Sequence, residues 1–227
     1  MTSSAVEVLR CPGSGSKTLP RQQPARSGGY NGDEDDERTQ ASIVSGNFVV
    51  LAMDSAIALF ASSRRRGNTG QLMDRIASEL NIELVDLAEH RMSSYDYDHL
   101  NRDDDFEPLM ERVLAHDQII FATPIYWYAV SPAMKVLLDR ISDLLELPEL
   151  LPAGRRLRGK NAYVVCTSSS DEPSVAFTEA FRETFAYLGM HFGGVAHVNC
   201  QNGYLPAVHD AEALRFAAVV RKAAQAR

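Results

Sequence analysis

The chain has 227 residues, 45% of them hydrophobic, and a formal net charge of −7. This length and composition suit one globular domain with an appendage. The acidic balance argues against a general nucleic-acid binder, which needs a basic surface. The longest apolar stretch, residues 48–61, is too short to span a bilayer and lies too far from Met1 for a signal peptide. We therefore expect no membrane attachment and no nucleic-acid partner.

The cysteines and histidines give no metal or disulfide pattern. Cys11, Cys166 and Cys200 are widely separated and match neither a disulfide framework nor a zinc or iron–sulfur spacing. No two of the six histidines share a close metal-ligand spacing. The sequence therefore predicts a cytoplasmic protein without a bound metal.

Residues 1–53 differ in composition from the rest of the chain. Residues 1–47 are rich in Ser, Gly, Pro, Arg and Gln, and residues 33–37 form an acidic run. Too few apolar residues are present to offset the entropy of ordering. We predict a disordered or dispensable extension over 1–53, with Met53 as an alternative start, and a folded domain over 54–227.

From residue 56 onward, strand and helix patterns alternate. Apolar runs predict strands, and apolar residues at helical spacing predict the helices between them. Ser131-Pro132 is a typical helix start, and Gly189 a typical helix end. The predicted strands are 56–61, 82–87, 118–123, 162–166 and 192–198; the helices are 71–80, 107–115, 132–145, 175–188 and 211–224.

Five strands alternating with five helices predict a doubly wound α/β domain. Right-handed crossovers give a five-stranded parallel sheet with helices on both faces. In such a sheet, ligands bind beyond the carboxyl ends of the strands, so the loops after strands one, three and four become the candidate site.

The loop after the first strand has the sequence SSRRRGNTG, residues 62–70. Backbone N–H groups of this turn and of the following helix start form an anion site. Gly67 and Asn68 tolerate the left-handed backbone that such a nest needs. Side chains of Ser62, Asn68 and Thr69 are donors for phosphate oxygens. The alternative is a capped helix beside three solvated arginines; neither nucleotide-binding glycine motif fits.

The loop after the third strand is TPIYWYAVS, residues 123–131. Three consecutive aromatic residues offer a surface for a flat apolar ring, whose polar edge would bond to main-chain groups. A hydrophobic plug or a subunit interface is the alternative that composition leaves open.

Together these segments resemble the NAD(P)H-dependent FMN reductase family of flavodoxin-like fold. SSRRRGNT is similar to that family's S-x-R-x-x-G-N-T phosphate loop, and TPIYWYAVSPAMKVLLDR to its P-x-Y-x-x-x-x-S-x-x-x-K-x-x-x-D-R segment. The resemblance covers about residues 55–200. It implies that the FMN phosphate is bound by Ser62, Arg64, Gly67, Asn68 and Thr69. It also implies contacts to the isoalloxazine ring of FMN. Those contacts come from Pro124, Ile125, Tyr126 and Trp127, and at the far edge of the ring from Thr167 and Ser168 of the loop 167–169.

Some residues near these motifs depart from the family or carry no chemistry. The loop after the fourth strand is TSSS, where the family often has glycine, and the cysteines of the family's iron–sulfur branch are missing. Cys166 is interpreted as a buried structural thiol. Lys135 and Asp139, four residues apart on a helix, are expected to pair.

The resemblance implies a flavin enzyme that takes electrons from NADH or NADPH through FMN and passes them to a small acceptor such as free flavin or quinone. No protein acid or base is required, so no catalytic residue is assigned. The resemblance also implies a homodimer or homotetramer. Two alternatives stay open: a flavodoxin-like electron carrier that docks to proteins, and a relative that has lost flavin.

Overall fold

A computed structural model of the protein describes residues 55–226. Five strands form one sheet in the order β2-β1-β3-β4-β5, and every neighbouring pair is parallel. This order is the flavodoxin-like doubly wound arrangement. The predicted fold is therefore confirmed. The strands are β1 (Ala56–Phe60), β2 (Glu83–Asp86), β3 (Gln118–Pro124), β4 (Asn161–Ser168) and β5 (His191–Asn199).

Helices connect these strands. The predicted long helix after Ser131 is divided instead, because the chain leaves α3 at Ile141 and a short helix begins at Asp143. The predicted extension over 1–53 lies outside the described residues. None of the described helices is long and apolar enough to cross a membrane. The helices are α1 (Asn68–Leu80), α2 (Phe106–Leu114), α3 (Pro132–Arg140), α4 (Asp143–Glu146), α5 (Leu151–Arg155), α6 (Val175–Tyr187) and α7 (Pro206–Gln225), with a 3-10 turn at Leu87–Glu89.

Two hydrophobic clusters cover the two faces of the sheet. Side chains alternate along a strand, so Ile57 and Leu59 of β1 enter the cluster formed with α2, α3 and α6. Ala58 and Phe60 enter the cluster formed with α1 and α7. All five β1 residues are buried. Burial on both faces explains why the strands have continuous apolar sequences rather than alternating ones.

One buried cation fixes the segment that precedes α2. The Arg140 side chain is fully buried, with Nη1 2.5 Å from an Asp104 oxygen and Nε 2.6 Å from an Asp143 oxygen. Arg140 also donates to the Ser93 carbonyl oxygen and lies over the Phe106 ring. A buried arginine requires such partners, because an unpaired charge would be costly to desolvate. Arg140 therefore joins the end of α3 to the chain before α2.

Candidate functional site

A cavity of about 240 Å³ opens at the carboxyl edge of the sheet, where the loops after β1, β3, β4 and β5 meet. Ten of the eleven residues predicted from the sequence line it, and Trp127 is the exception. The parallel strands bring these loops to the same edge, although they are far apart in sequence. The lining residues are Ser62, Arg64, Gly67, Asn68, Thr69, Pro124, Ile125, Tyr126, Thr167, Ser168, Ser169, Cys200 and Gln201.

The N-terminus of α1 forms one wall of this cavity. Its cap residue, Gly67, makes no side-chain capping bond, and the first turn contains no acidic residue. The Gln71 N–H donates to the Gly67 carbonyl oxygen, 3.0 Å away. The amides of Asn68, Thr69 and Gly70 precede it and have no acceptor within the helix. These groups and the positive end of the helix dipole favour a bound anion.

The backbone of this turn differs from the sequence-based expectation. Gly67 has φ −73° and ψ −175°, an extended conformation, and Asn68 is the first residue of α1. The predicted left-handed conformation at Gly67 and Asn68 is therefore wrong, because an extended residue leads directly into the helix. Glycine is required in this turn for steric reasons, and the requirement is strongest at Gly70. A Cβ atom there would lie 1.8 Å from the Arg65 carbonyl oxygen.

The side chains of Asn68 and Thr69 join the cavity loops to each other. Asn68 Oδ1 accepts from the Tyr204 N–H at 3.1 Å, and Asn68 Nδ2 donates to the Cys200 carbonyl oxygen at 3.4 Å. The hydroxyl oxygens of Thr69 and Thr167 are 2.7 Å apart, and both side chains are buried. These side chains were expected to donate to a phosphate, but the structure gives them protein partners. The backbone amides of Asn68 and Thr69 remain as candidate donors to an anion.

The three arginines of the loop have different surroundings. Arg65 donates to both carboxylate oxygens of Asp74, and its guanidinium lies over the Phe60 ring. The hydrogen bond to Asp74 raises the pKa of Arg65. Arg64 lines the cavity, and its side chain has no hydrogen-bond or ion-pair partner among residues 55–226. Arg66 is exposed and does not line the cavity. Of the three arginines, Arg64 is therefore the one placed to reach an anion there.

The aromatic segment after β3 forms a tight two-residue turn. Tyr126 and Ala129 exchange two backbone hydrogen bonds, of 2.9 and 3.0 Å. Between them, Trp127 and Tyr128 have φ values of 49° and 65°. This left-handed pair is typical of turns built from Gly and Asn, and bulky side chains occupy it at a cost. The Trp127 side chain is nevertheless 94% exposed.

Trp127 lines a second cavity, of about 340 Å³, that adjoins the first. The two cavities share Ile125, Ser168 and Ser169. The aromatic turn therefore borders the space beside the first cavity. No lysine or arginine is among the residues that line the second cavity, which are Ile125, Trp127, Tyr128, Ser168, Ser169, Ser170, Glu172 and Ser174.

Sequence reasoning missed the loop after β5. Cys200 and Gln201 line the first cavity, and the Cys200 N–H donates to the Ser168 carbonyl oxygen at 2.7 Å. Their position directly after the fifth strand could have identified them, because the carboxyl ends of β4 and β5 lie at the same edge of the sheet. By contrast, Cys166 is the buried structural thiol that the sequence predicted. Burial raises its pKa to about 12, so the unreactive thiol form dominates.

Known proteins resemble this chain over the same region. The sequence model of the family described as NADPH-dependent FMN reductase matches residues 55–204. A relative from Bacillus subtilis strain 168, named "Putative NAD(P)H-dependent FMN-containing oxidoreductase YwqN", is 29% identical over 141 residues, which cover 58% of this chain and 77% of the relative.

Two solved structures illustrate the similarity of fold. The Trp repressor binding protein from Bacillus subtilis gives a TM-score of 0.56 at 25% identity, covering 70% of this chain and 96% of that one. The apo form of NADH:FMN oxidoreductase EMOB gives a TM-score of 0.53 at 19% identity, covering 76% of this chain and 89% of that one. At that identity the second comparison supports the fold alone.

Proposed function

The chain belongs to the NADPH-dependent FMN reductase family, and from this premise we propose that FMN binds in the first cavity and passes electrons to a small uncharged acceptor in the second. The protein is an NAD(P)H-dependent FMN oxidoreductase. The proposal therefore concerns where the cofactor is held, which residues hold it, and which acceptor is reduced.

The uncapped N-terminus of α1 is the observation that carries the proposed cofactor position. The amides of Asn68 and Thr69, which have no helical acceptor, and the Arg64 side chain lie at one wall of the cavity. This is the donor set that a phosphate monoester needs. The aromatic loop lies at another wall, as a flat ring requires. The residues present therefore fit FMN, with its phosphate at α1.

The chain's own residues bind and orient the cofactor. When bound, FMN accepts hydride from the nicotinamide and delivers electrons onward. The α1 amides and Arg64 would hold its phosphate, and Pro124, Ile125 and Tyr126 would contact the ring. The Thr69–Thr167 hydroxyl pair would keep the phosphate loop in register with the end of β4. No side chain is required to move a proton for hydride transfer.

The lining of the second cavity favours an uncharged acceptor. Among its lining residues, Glu172 carries a carboxylate and Tyr128 a phenol, and no lysine or arginine is present. A phosphate group entering this cavity would meet the Glu172 carboxylate without a compensating cation. Ile125, Trp127 and Tyr128 provide apolar surface for a planar ring. A quinone fits this lining better than free FMN does.

The cofactor proposal is tested by titrating the apoprotein with FMN and with riboflavin, following flavin fluorescence. FMN should bind more tightly because only FMN carries the phosphate. Equal affinities would contradict the phosphate site at α1. Anaerobic NADH or NADPH should then bleach the bound flavin absorbance. Bleaching by dithionite alone would support the electron-carrier alternative.

The acceptor proposal is tested by comparing kcat/KM for a neutral quinone, for riboflavin and for free FMN. We expect riboflavin to be preferred over FMN, since the two share a ring and differ in the phosphate. Glu172→Gln should raise kcat/KM for FMN more than for riboflavin. Glu179→Gln, which removes an exposed carboxylate outside the cavity, is the matched control. An unchanged FMN-to-riboflavin ratio in Glu172→Gln would contradict the charge argument.

A further inference from the structure

Ser168 lies at the boundary between the two cavities and lines both of them. Its hydroxyl oxygen accepts a hydrogen bond from the Ser170 N–H at 3.0 Å. The same oxygen lies 2.9 Å from His197 Nε2 on β5. A titratable ring is therefore in direct contact with the hydroxyl of a residue that lines the proposed cofactor cavity.

His197 is half-buried, and its surroundings shift its pKa in opposite directions. Desolvation lowers its pKa and outweighs the groups that favour the protonated ring. Those groups are Glu212 of α7, and Asp171 and Glu172 of the loop after β4; a backbone hydrogen bond at Asp171 also favours the charged ring. The net effect is to lower the pKa of His197 from its ordinary value, which favours the neutral ring at neutral pH.

The protonation state of His197 decides what Ser168 can offer a ligand. A hydroxyl has one hydrogen to donate and two lone pairs to accept. Beside a neutral ring whose Nε2 carries no hydrogen, Ser168 donates to His197 and accepts from Ser170, and one lone pair stays available. Beside the protonated ring, Nε2–H takes that lone pair, and the Ser168 hydrogen is free to turn to the Ser170 carbonyl oxygen, 3.4 Å away. Protonation thus removes the lone pair with which Ser168 could accept from a ligand.

Oxidised flavin has one ring N–H, the imide hydrogen of its pyrimidine edge. We propose that His197 is a positioning residue, which holds the Ser168 hydroxyl as an acceptor for this N–H and releases it when protonated. The inference rests on the proposed placement of FMN in the first cavity. It assigns a role to a serine that stands where the family often has glycine, and to a histidine on β5.

The test measures the Kd of FMN for the apoprotein as pH is lowered from 8 through the pKa of His197, which an NMR titration determines, in the wild type, Ser168→Ala, His197→Gln and Ser78→Ala. Ratios of variant to wild-type Kd cancel the ionisation of the FMN phosphate, which also titrates near pH 6. At pH 8, Ser168→Ala should raise Kd about threefold to tenfold, the effect of one hydrogen bond. This ratio should fall toward one as pH is lowered through the pKa of His197.

The control variants separate positioning from a structural effect. His197→Gln keeps a hydrogen-bonding side chain and removes the titration, so its Kd should lack the pH-dependent loss seen in the wild type. Ser78→Ala, which changes an exposed serine outside both cavities, should follow the wild type. NMR titration of His197 should show that FMN lowers its pKa further, because the ligand prefers the neutral ring.

Three results would overturn the inference. A Ser168→Ala ratio that stays constant across the measured titration of His197 would remove the link between the two residues. A His197 pKa that rises on FMN binding would mean that Ser168 acts as a donor. Failure of FMN to bind at any pH would overturn the placement of the cofactor itself, which distinguishes that failure from the first two.

Discussion

A Cβ atom on Gly70 would lie 1.8 Å from the carbonyl oxygen of Arg65. Atoms cannot approach so closely, so any side chain at this position displaces the backbone of the loop before α1. At Gly67, the corresponding distance to the Arg64 carbonyl oxygen is 3.1 Å, which a small movement can accommodate. The close packing of α1 on its preceding loop therefore depends mainly on Gly70.

Gly70→Ala should weaken FMN binding strongly. The forced shift moves the amides that we assign to the phosphate, and overpacking of this kind costs about 1–3 kcal/mol of stability. Gly67→Ala is the matched control and should have the smaller effect on both quantities. FMN titration and thermal unfolding of the two variants provide the measurement. Wild-type affinity in Gly70→Ala would refute the role given to this contact.

Arg64→Ala should weaken FMN binding about tenfold or more, because a charge-assisted hydrogen bond contributes ~1.5–3 kcal/mol. Arg65 is held by Asp74, and Arg66 does not line the cavity, so alanine at either position should change Kd less. The three variants are compared by fluorescence quenching of FMN. A larger loss in Arg66→Ala would place the anion elsewhere on the loop.

Arg140→Ala should destabilise the fold by about 3–5 kcal/mol, because Asp104 and Asp143 would remain buried without their cation. Arg102→Ala removes an arginine with two carboxylate partners at the surface, Glu107 and Glu149. Its cost should stay near or below ~1 kcal/mol. Urea unfolding of both variants gives the comparison, and equal losses would contradict the distinction.

Asp104 should make the fold sensitive to acid. Burial alone would raise its pKa, but hydrogen bonds from Arg140 and from the Ser93 and Phe106 amides leave it below the ordinary 3.8. A carboxyl whose pKa is lower in the folded state stabilises the protein above its unfolded pKa. This contribution should therefore be lost as pH falls through 3.8 toward the folded value. Unfolding free energies of the wild type and Asp104→Asn, measured between pH 3 and 6, should differ in slope below about pH 4.

Tyr128→Gly should stabilise the turn after β3 and weaken acceptor binding. A left-handed conformation costs a residue with a Cβ about 1–2 kcal/mol, and glycine avoids this cost. The same change removes an aromatic wall of the second cavity, so KM for a quinone should rise. Tyr128→Phe keeps the ring and the strain and should behave like the wild type. A KM unchanged in Tyr128→Gly would exclude Tyr128 from acceptor binding.

The sequence predicted the elements and the loops that carry the site. Runs such as AIALF in β1 are buried on both faces, and this pattern is visible in local sequence. The phosphate-loop and aromatic-loop motifs were also local, so ten of the eleven site residues reached the same cavity. Short-range patterns suffice here because each loop follows directly from the end of a strand.

Only the tertiary structure decided which residues meet across the chain. Arg140 has the sequence context of a helix surface, but its partner Asp104 lies 36 residues away. The spacing of the six histidines gave no reason to single out His197, and its partner Ser168 is 29 residues away in the sequence. Gly70 resembles any helical glycine until the Arg65 carbonyl is placed beside it. Such contacts depend on how β1, β3, β4 and β5 are ordered in the sheet and how the helices pack on it, and local sequence does not encode these distances.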